Sequence, residues 1–304
     1  MHISQTIVLS ALLLGACGAS EPTPSGTAPS EPESSVPQQP NLSYRVFTGD
    51  EKGFYATSTL IEGESEAILI DAQFNLANGQ RLADWIALSH KSLAAIYITH
   101  AHPDHYFGVE KVLEKFPGTP IFANRDVVDS MRTLAPGKLA YWGPIYGDDL
   151  TTSPPLPKPL TRSYFELGQH RLNIIELDQA DSEHASAVHV PALDLLVAGD
   201  LVFSGVHAWV ADTPKASDQQ AWIHTLEKIL DLHAVAVVPG HRSPGRLEDP
   251  IAIGETLSYL RDFARLRAVH NSPSALTEAM LTLHGNDKLP IILEIAAKAS
   301  FSAP

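Results

Sequence analysis

Apolar and polar positions along this chain fall into two periods, and the period switches often. After Asn41, "YRVFTG" and "FYATSTLIEG" carry β character, and "EAILIDA" is a short apolar run closed by Asp71, the pattern of a buried strand. "LANGQRLADWIALSHK" places Leu76, Leu82, Trp85, Ile86 and Leu88 at helical spacing, which predicts an amphipathic helix with an early glycine as its weak point. "AAIYITH" reads as a strand ending on His100, "DHYFGVEKVLEKF" as a helix stopped by Pro117-Gly118, "TPIFAN" as a strand and "RDVVDSMRTL" as a short helix. Ala135 to Leu160 keeps neither period. It is rich in Pro and Gly yet carries Tyr141, Trp142 and Tyr146, so it is expected to be a long loop serving as a lid or pocket wall.

The second half repeats this grammar. "RSYFELG" with "HRLNIIELD", and "SAVHVP" with "LDLLVAGD", predict two hairpins, the second turning at Ala192-Leu193. "SDQQAWIHTLEKILDL" is a helix with Ser217 as its expected N-cap. "AVAVVPGH" is a buried strand ending on His241, and helices fill Glu248 to His270 and most of the chain after Ser274. Two β-rich halves, each with helices, predict an α/β fold of two sheets packed face to face with helices outside.

Composition fits that picture: 304 residues, 44% hydrophobic and 18% charged, are ordinary for a protein with a core. A net charge of −14 and the lack of any basic run argue against nucleic-acid binding. The single cysteine, Cys17, rules out an intramolecular disulfide and a thiolate metal cage. It follows "IVLSALLL", an apolar run too short to span a bilayer, and "LGAC" resembles a bacterial lipobox whose cysteine is lipidated after cleavage. "MHISQ" departs from a typical signal in having no Lys or Arg. The Pro-, Ser- and Glu-rich stretch that follows cannot bury enough surface to fold. The expected organisation is a signal peptide over 1–17, a disordered tether over 18–42 and a folded domain over 43–304. Gly18 after the cysteine points by the same resemblance to the outer membrane, with the domain facing the periplasm.

Chemistry gathers at the strand ends. "YITHAHPDHYFG" crowds His100, His102, Asp104 and His105 into one turn, while "LLVAGD" ends on Asp200 and "AVVPGH" on His241. In α/β folds, strand C-termini converge on one edge and hold their side chains rigidly. Imidazole nitrogens with carboxylate oxygens suit Zn²⁺, and also Fe or Mn. A cysteine-free set of this kind is that of a catalytic rather than a structural metal site.

"THAHPDH", "VAGD" and "VVPGH" in this order resemble the motifs of the metallo-β-lactamase superfamily, and the resemblance covers most of Ser43 to about Ser300. It implies an αββα sandwich of two mixed sheets flanked by helices. It further implies two metal ions, most simply zinc. His100 and His102 with a third ligand would hold the first, Asp104, His105 and His241 the second, and Asp200 would bridge them. Such a pair acidifies a water, and the metal-bound hydroxide attacks a carbonyl substrate, with Asp104 as the catalytic residue that orients it and passes on its proton. The third ligand of the first site departs from the family: where Gly-His-Thr or Gly-His-Ser is usual, this chain has "LDQADSEHAS". Gln179 aligns with the missing histidine, His184 is the stronger ligand chemically and is preferred, and Asp181 and Glu183 are further candidates.

Beyond the ligands, His207 follows Asp200 closely enough to reach substrate, Trp142, Tyr146 and Trp209 could wall a pocket, and Asp71 is expected to orient a ligating histidine. The other histidines read as surface or packing residues. The expected function is a metal-dependent hydrolase of a small-molecule lactone, ester or β-lactam. The competing reading is a non-catalytic or weakly active metal-binding envelope lipoprotein, for which the missing histidine speaks.

Overall fold

The computed structural model describes residues 41–302. The proposed signal peptide and Cys17, and the tether up to Pro40, lie outside the described residues. Two sheets carry the architecture. The first has six strands in sequence order, β1 (Ser43–Thr48), β2 (Thr57–Glu62), β3 (Glu66–Ile70), β4 (Ser92–Tyr97), β5 (Ile121–Ala123) and β6 (Lys158–Pro159). Its first pairings are antiparallel and those from β3 onward parallel. The second sheet is ordered β11 (Ala236–Arg242), β10 (Leu195–Ser204), β9 (Ser186–Val190), β8 (His170–Glu176), β7 (Tyr164–Leu167), antiparallel throughout except β10 with β11.

Three apolar layers give the αββα order. Ile61, Ile68, Ile70 and Tyr97 of the first sheet meet Leu172, Val188, Leu195 and Val238 of the second. Leu60 and Leu69, the alternate residues of β2 and β3, point the other way onto α1 (Leu76–Ala87), α2 (Val109–Lys115) and α3 (Arg125–Tyr146). The outer face of the second sheet is covered by α4 (Ala216–Ile229), α5 (Ile251–Val269), α6 (Pro273–His284) and α7 (Pro290–Ser302). Strands covered on both faces read as near-continuous apolar runs, which is why "EAILI" looked buried from sequence.

The structure departs from expectation in α3. The helix runs through Pro136 and Pro144 to Tyr146, where a loop from Ala135 was expected. Val128, Met131, Ala135, Leu139, Trp142 and Tyr146 recur at spacings of three and four, and they form one stripe against the first sheet's outer layer. Pro136 and Gly137 lie on the exposed side, where water can take the carbonyl that proline leaves unpaired. Packing of the stripe outweighs the local helix breakers. A smaller correction concerns α4, whose N-cap is Lys215; the Ser217 hydroxyl bonds Asp218 instead.

Candidate metal centre

The crowded turn leaves β4 and is held by Asp71, which follows β3 in a left-handed conformation (φ 60°). One Asp71 oxygen accepts the Thr99 amide at 2.8 Å; the other accepts the Thr99 hydroxyl at 2.8 Å and faces His105 Nδ1 at 2.9 Å. Because the Thr99 hydroxyl proton goes to Asp71, its oxygen accepts from His100 Nδ1 at 3.0 Å. His241 Nδ1 donates to the Phe54 carbonyl at 2.7 Å, and His102 Nε2 to Asp212 at 2.9 Å. Each of these imidazoles is thus tied as a donor through one nitrogen, leaving the other nitrogen's lone pair for a metal.

Those other nitrogens converge. His100, His102, Asp181 and Asp200 each offer a ligand atom, all within 4.8 Å of one another, and Asp104, His105 and His241 form a second such group. Asp200 serves both: its oxygens lie 3.1 Å from His105 Nε2, 3.2 Å from His241 Nε2 and 3.6 Å from His100 Nε2. His100 Nε2, Asp181 Oδ2 and Asp200 Oδ1 are buried without a hydrogen-bond partner. Unpartnered polar atoms are rare in native interiors, and three in one cluster of histidines and carboxylates fit a divalent cation. Electrostatics agree. Burial and the Asp200 charge push the Asp181 carboxyl up to about 7, as expected for two buried carboxylates with no cation between them. A cation between the carboxylates relieves that repulsion.

Gly240 permits the convergence, since a side chain there would collide with the Asp200 carboxylate and the Gly199 backbone, keeping β11 away from β10.

The third position of the first group is where the sequence reading and the structure part. His184 takes a left-handed φ of 59° and turns outward, its ring about half exposed beside Asp126. Gln179 is buried, but its amide bonds the adjacent Ala180 carbonyl. Asp181 points inward, 2.9 Å from His102 Nδ1. A bond from the Leu177 amide to the Ala185 carbonyl closes the loop and fixes which side chains face in. The signal for Asp181 was its small neighbours, Ala180 and Ser182, which suit burial, whereas Glu183-His184 forms a polar corner.

A cavity of about 370 Å³ opens above the cluster, with His102, Asp104, Asp200 and His241 in its floor. Trp142, Trp209 and His207 line it. His207 is buried, accepts or donates through Nδ1 at 3.1 Å from the Tyr259 hydroxyl, and stands outside both metal-capable groups. Burial, with the nearby His284 charge, lowers its pKa to about 4. Tyr146 does not line the cavity: it packs edge-on against Phe74 and its hydroxyl donates to the Lys52 carbonyl at 2.6 Å, while Tyr141 stands at the cavity wall. Asp212, which sequence alone did not single out, joins His102 to Trp209 Nε1 at 3.0 Å and lies 3.9 Å from Lys138.

Solved structures share this arrangement of sheets and helices. A beta-lactamase domain protein from Burkholderia ambifaria superposes with a TM-score of 0.64 at 16% identity, covering 86% of each chain. A metallo-beta-lactamase family protein from Thermus thermophilus gives 0.61 at 17%, covering 86% of this chain and 91% of its own. A metallo-beta-lactamase from Pseudomonas aeruginosa, solved in a mono-zinc form, gives 0.52 at 16%, covering 73% and 91%. At such identities the likeness is one of fold. No curated protein sequence matched. The profile of the metallo-beta-lactamase superfamily matches residues 52–241, a span that begins just before the Phe54 carbonyl and closes on His241, its partner across the sheets. The chain belongs to the metallo-beta-lactamase superfamily.

Proposed function

We propose that the protein is a metal-dependent hydrolase that cleaves a lactone, ester or β-lactam carbonyl in the cavity above the His/Asp cluster. The observation that carries this reading is the set of four imidazoles, each fixed through one nitrogen, whose other nitrogens gather around one shared carboxylate, Asp200. His100, His102 and Asp181 would hold one ion and Asp104, His105 and His241 a second, with Asp200 between them. Zinc suits this set, and the additional carboxylate in place of an imidazole makes Mn or Fe competitive. When bound, the ions would acidify a water and polarise the carbonyl.

The chain's own groups do the rest. Asp104 lies in the cavity floor, 3.3 Å from His241 Nε2, placed to orient the water and take its proton. Asp71 keeps His105 in the tautomer that leaves Nε2 free. The aromatic wall excludes bulk water around the reacting carbonyl. Lipidation at Cys17 would place this head on the periplasmic side of the envelope, a placement that rests on the sequence alone.

The test is metal content of the purified protein by elemental mass spectrometry, with turnover of a chromogenic β-lactam and a panel of lactones and esters. The expected result is about two ions per chain and turnover of one class, abolished by His102→Ala together with most of the metal. Retention of both metal and turnover in that variant would reject the site. Bound metal without turnover of any class would favour the alternative of a metal-binding lipoprotein.

A further inference from the structure

We propose that the cavity selects an ester or lactone carrying an aliphatic acyl chain, and that the chain lies against α7. This deepens the hydrolase reading and rests on it for the reacting carbonyl.

The helix α7 is apolar on more of its circumference than the core requires. Leu293, Ala296, Ala297 and Ser300 are buried in the outer layer of the second sheet. Ile292, Ile295 and Ala299 follow one another at helical spacing on the adjoining face and line the cavity. Ile295 and Ala299 are only half-buried, so the cavity rather than the core is what they serve. Leu289 precedes the helix, lines the same cavity and takes a left-handed φ of 64°, a conformation unfavourable for leucine. It is locked there by a short ladder. The His207 amide donates to the Lys288 carbonyl, and the Lys288 amide to the Gly205 carbonyl, each at 3.0 Å. Strain held in this way against the end of β10 marks a segment whose position matters to the site.

Charge on the walls narrows the substrate. Apart from the metal-capable groups and His207, the titratable side chains lining the cavity are Lys138, Asp212 and Tyr141. The Lys138 ammonium lies 3.9 Å from Asp212, whose carboxylate also serves His102 and Trp209. The lining residues that α7 contributes, Ile292, Ile295 and Ala299, carry no charge, which favours an apolar acyl group on that side of the cavity. In the reaction, the oxygen of water joins the acyl carbon and the acyl C–O bond breaks. One water proton ends on the departing alkoxide, and the other is released as the new acid ionises.

The test uses p-nitrophenyl esters from acetate to decanoate, and separately 1-alkanols of rising length followed by tryptophan fluorescence, since Trp142 and Trp209 line the cavity. Each added methylene is expected to raise kcat/KM and alkanol affinity by about threefold until the slot is full. Ala299→Phe should lower the preference for the longest over the shortest member by about tenfold, and Ile295→Ala should flatten the series. Val269→Ser, on the exposed end of α5, serves as control and should leave the preference unchanged. A flat series in both readouts, or a rising one that neither cavity variant alters, would overturn the proposal. Length-dependent alkanol binding without turnover of any ester, lactone or β-lactam would uphold the slot while rejecting the hydrolase reading.

Discussion

Asp71 shows how much of a metal centre resides in residues that never touch the metal. Its carboxylate fixes the Thr99 amide, the Thr99 hydroxyl and His105, and through the hydroxyl it also sets His100. Asp71→Asn should weaken metal binding by about 10- to 100-fold, measured by competition with a chromophoric chelator, while the helical circular dichroism stays unchanged. Asp181→Asn should cost the first ion, and His184→Ala should leave metal content as it is. Loss of metal in the histidine variant would return the third position to His184. The meeting of the turn from His100 to His105 with the distant Asp200 and His241 was legible because such residues crowd together or close strands in the sequence. The inward place of Asp181 was not, because imidazole chemistry favoured His184 and only the closure of the Leu177–Ala185 loop decides what faces inward. His207 offers a pH test. Its pKa of about 4 lies below the ordinary 6.5, so the unfolded chain binds the extra proton between those values. Stability should therefore fall as pH drops from 6.5 toward 4, with a His207 contribution of at most ~1.4 kcal/mol per pH unit. Urea unfolding of wild type and His207→Gln across that range should show a shallower dependence in the variant.

At the scale of elements, α3 illustrates why breakers mislead. Pro136-Gly137 and Gly143-Pro144 punctuate the sequence, yet the stripe from Val128 to Tyr146 continues across them at an unbroken spacing. The strands were easier, since their apolar runs are bounded by turn residues and no local signal opposes them. Gly137 is exposed in the helix interior with open space around the position a Cβ would occupy. Gly137→Ala should stabilise the protein by about 0.5–1 kcal/mol in chemical denaturation, since it removes backbone entropy from the unfolded chain. A destabilisation would mean that the Pro136 region depends on glycine for its geometry.

Across the whole molecule, three apolar layers fix the two sheets and leave the His/Asp cluster at one edge, on the strand ends. Metal binding should then stabilise the fold measurably. At a free metal concentration about a hundredfold above Kd the gain is about 2.7 kcal/mol, so chelation should lower the melting temperature and re-addition of Zn²⁺ or Mn²⁺ should restore it. An unchanged Tm would indicate that the cluster holds no ion in solution. The sandwich class was readable from the alternation of strands and helices. Contacts between distant segments were not, and one of these bears on how the protein is made. His241 Nδ1 is held by the Phe54 carbonyl 187 positions earlier, and the Thr57 hydroxyl by the Pro239 carbonyl 182 positions later. A chain still being synthesised already displays the histidine-rich turn, and later Asp200, but cannot bring His241 to Asp104 and His105 until β11 has emerged and docked against the first hairpin. Capture of a second ion would consequently be a late event in the life of the nascent chain, and its presence would distinguish a finished molecule from a truncated one.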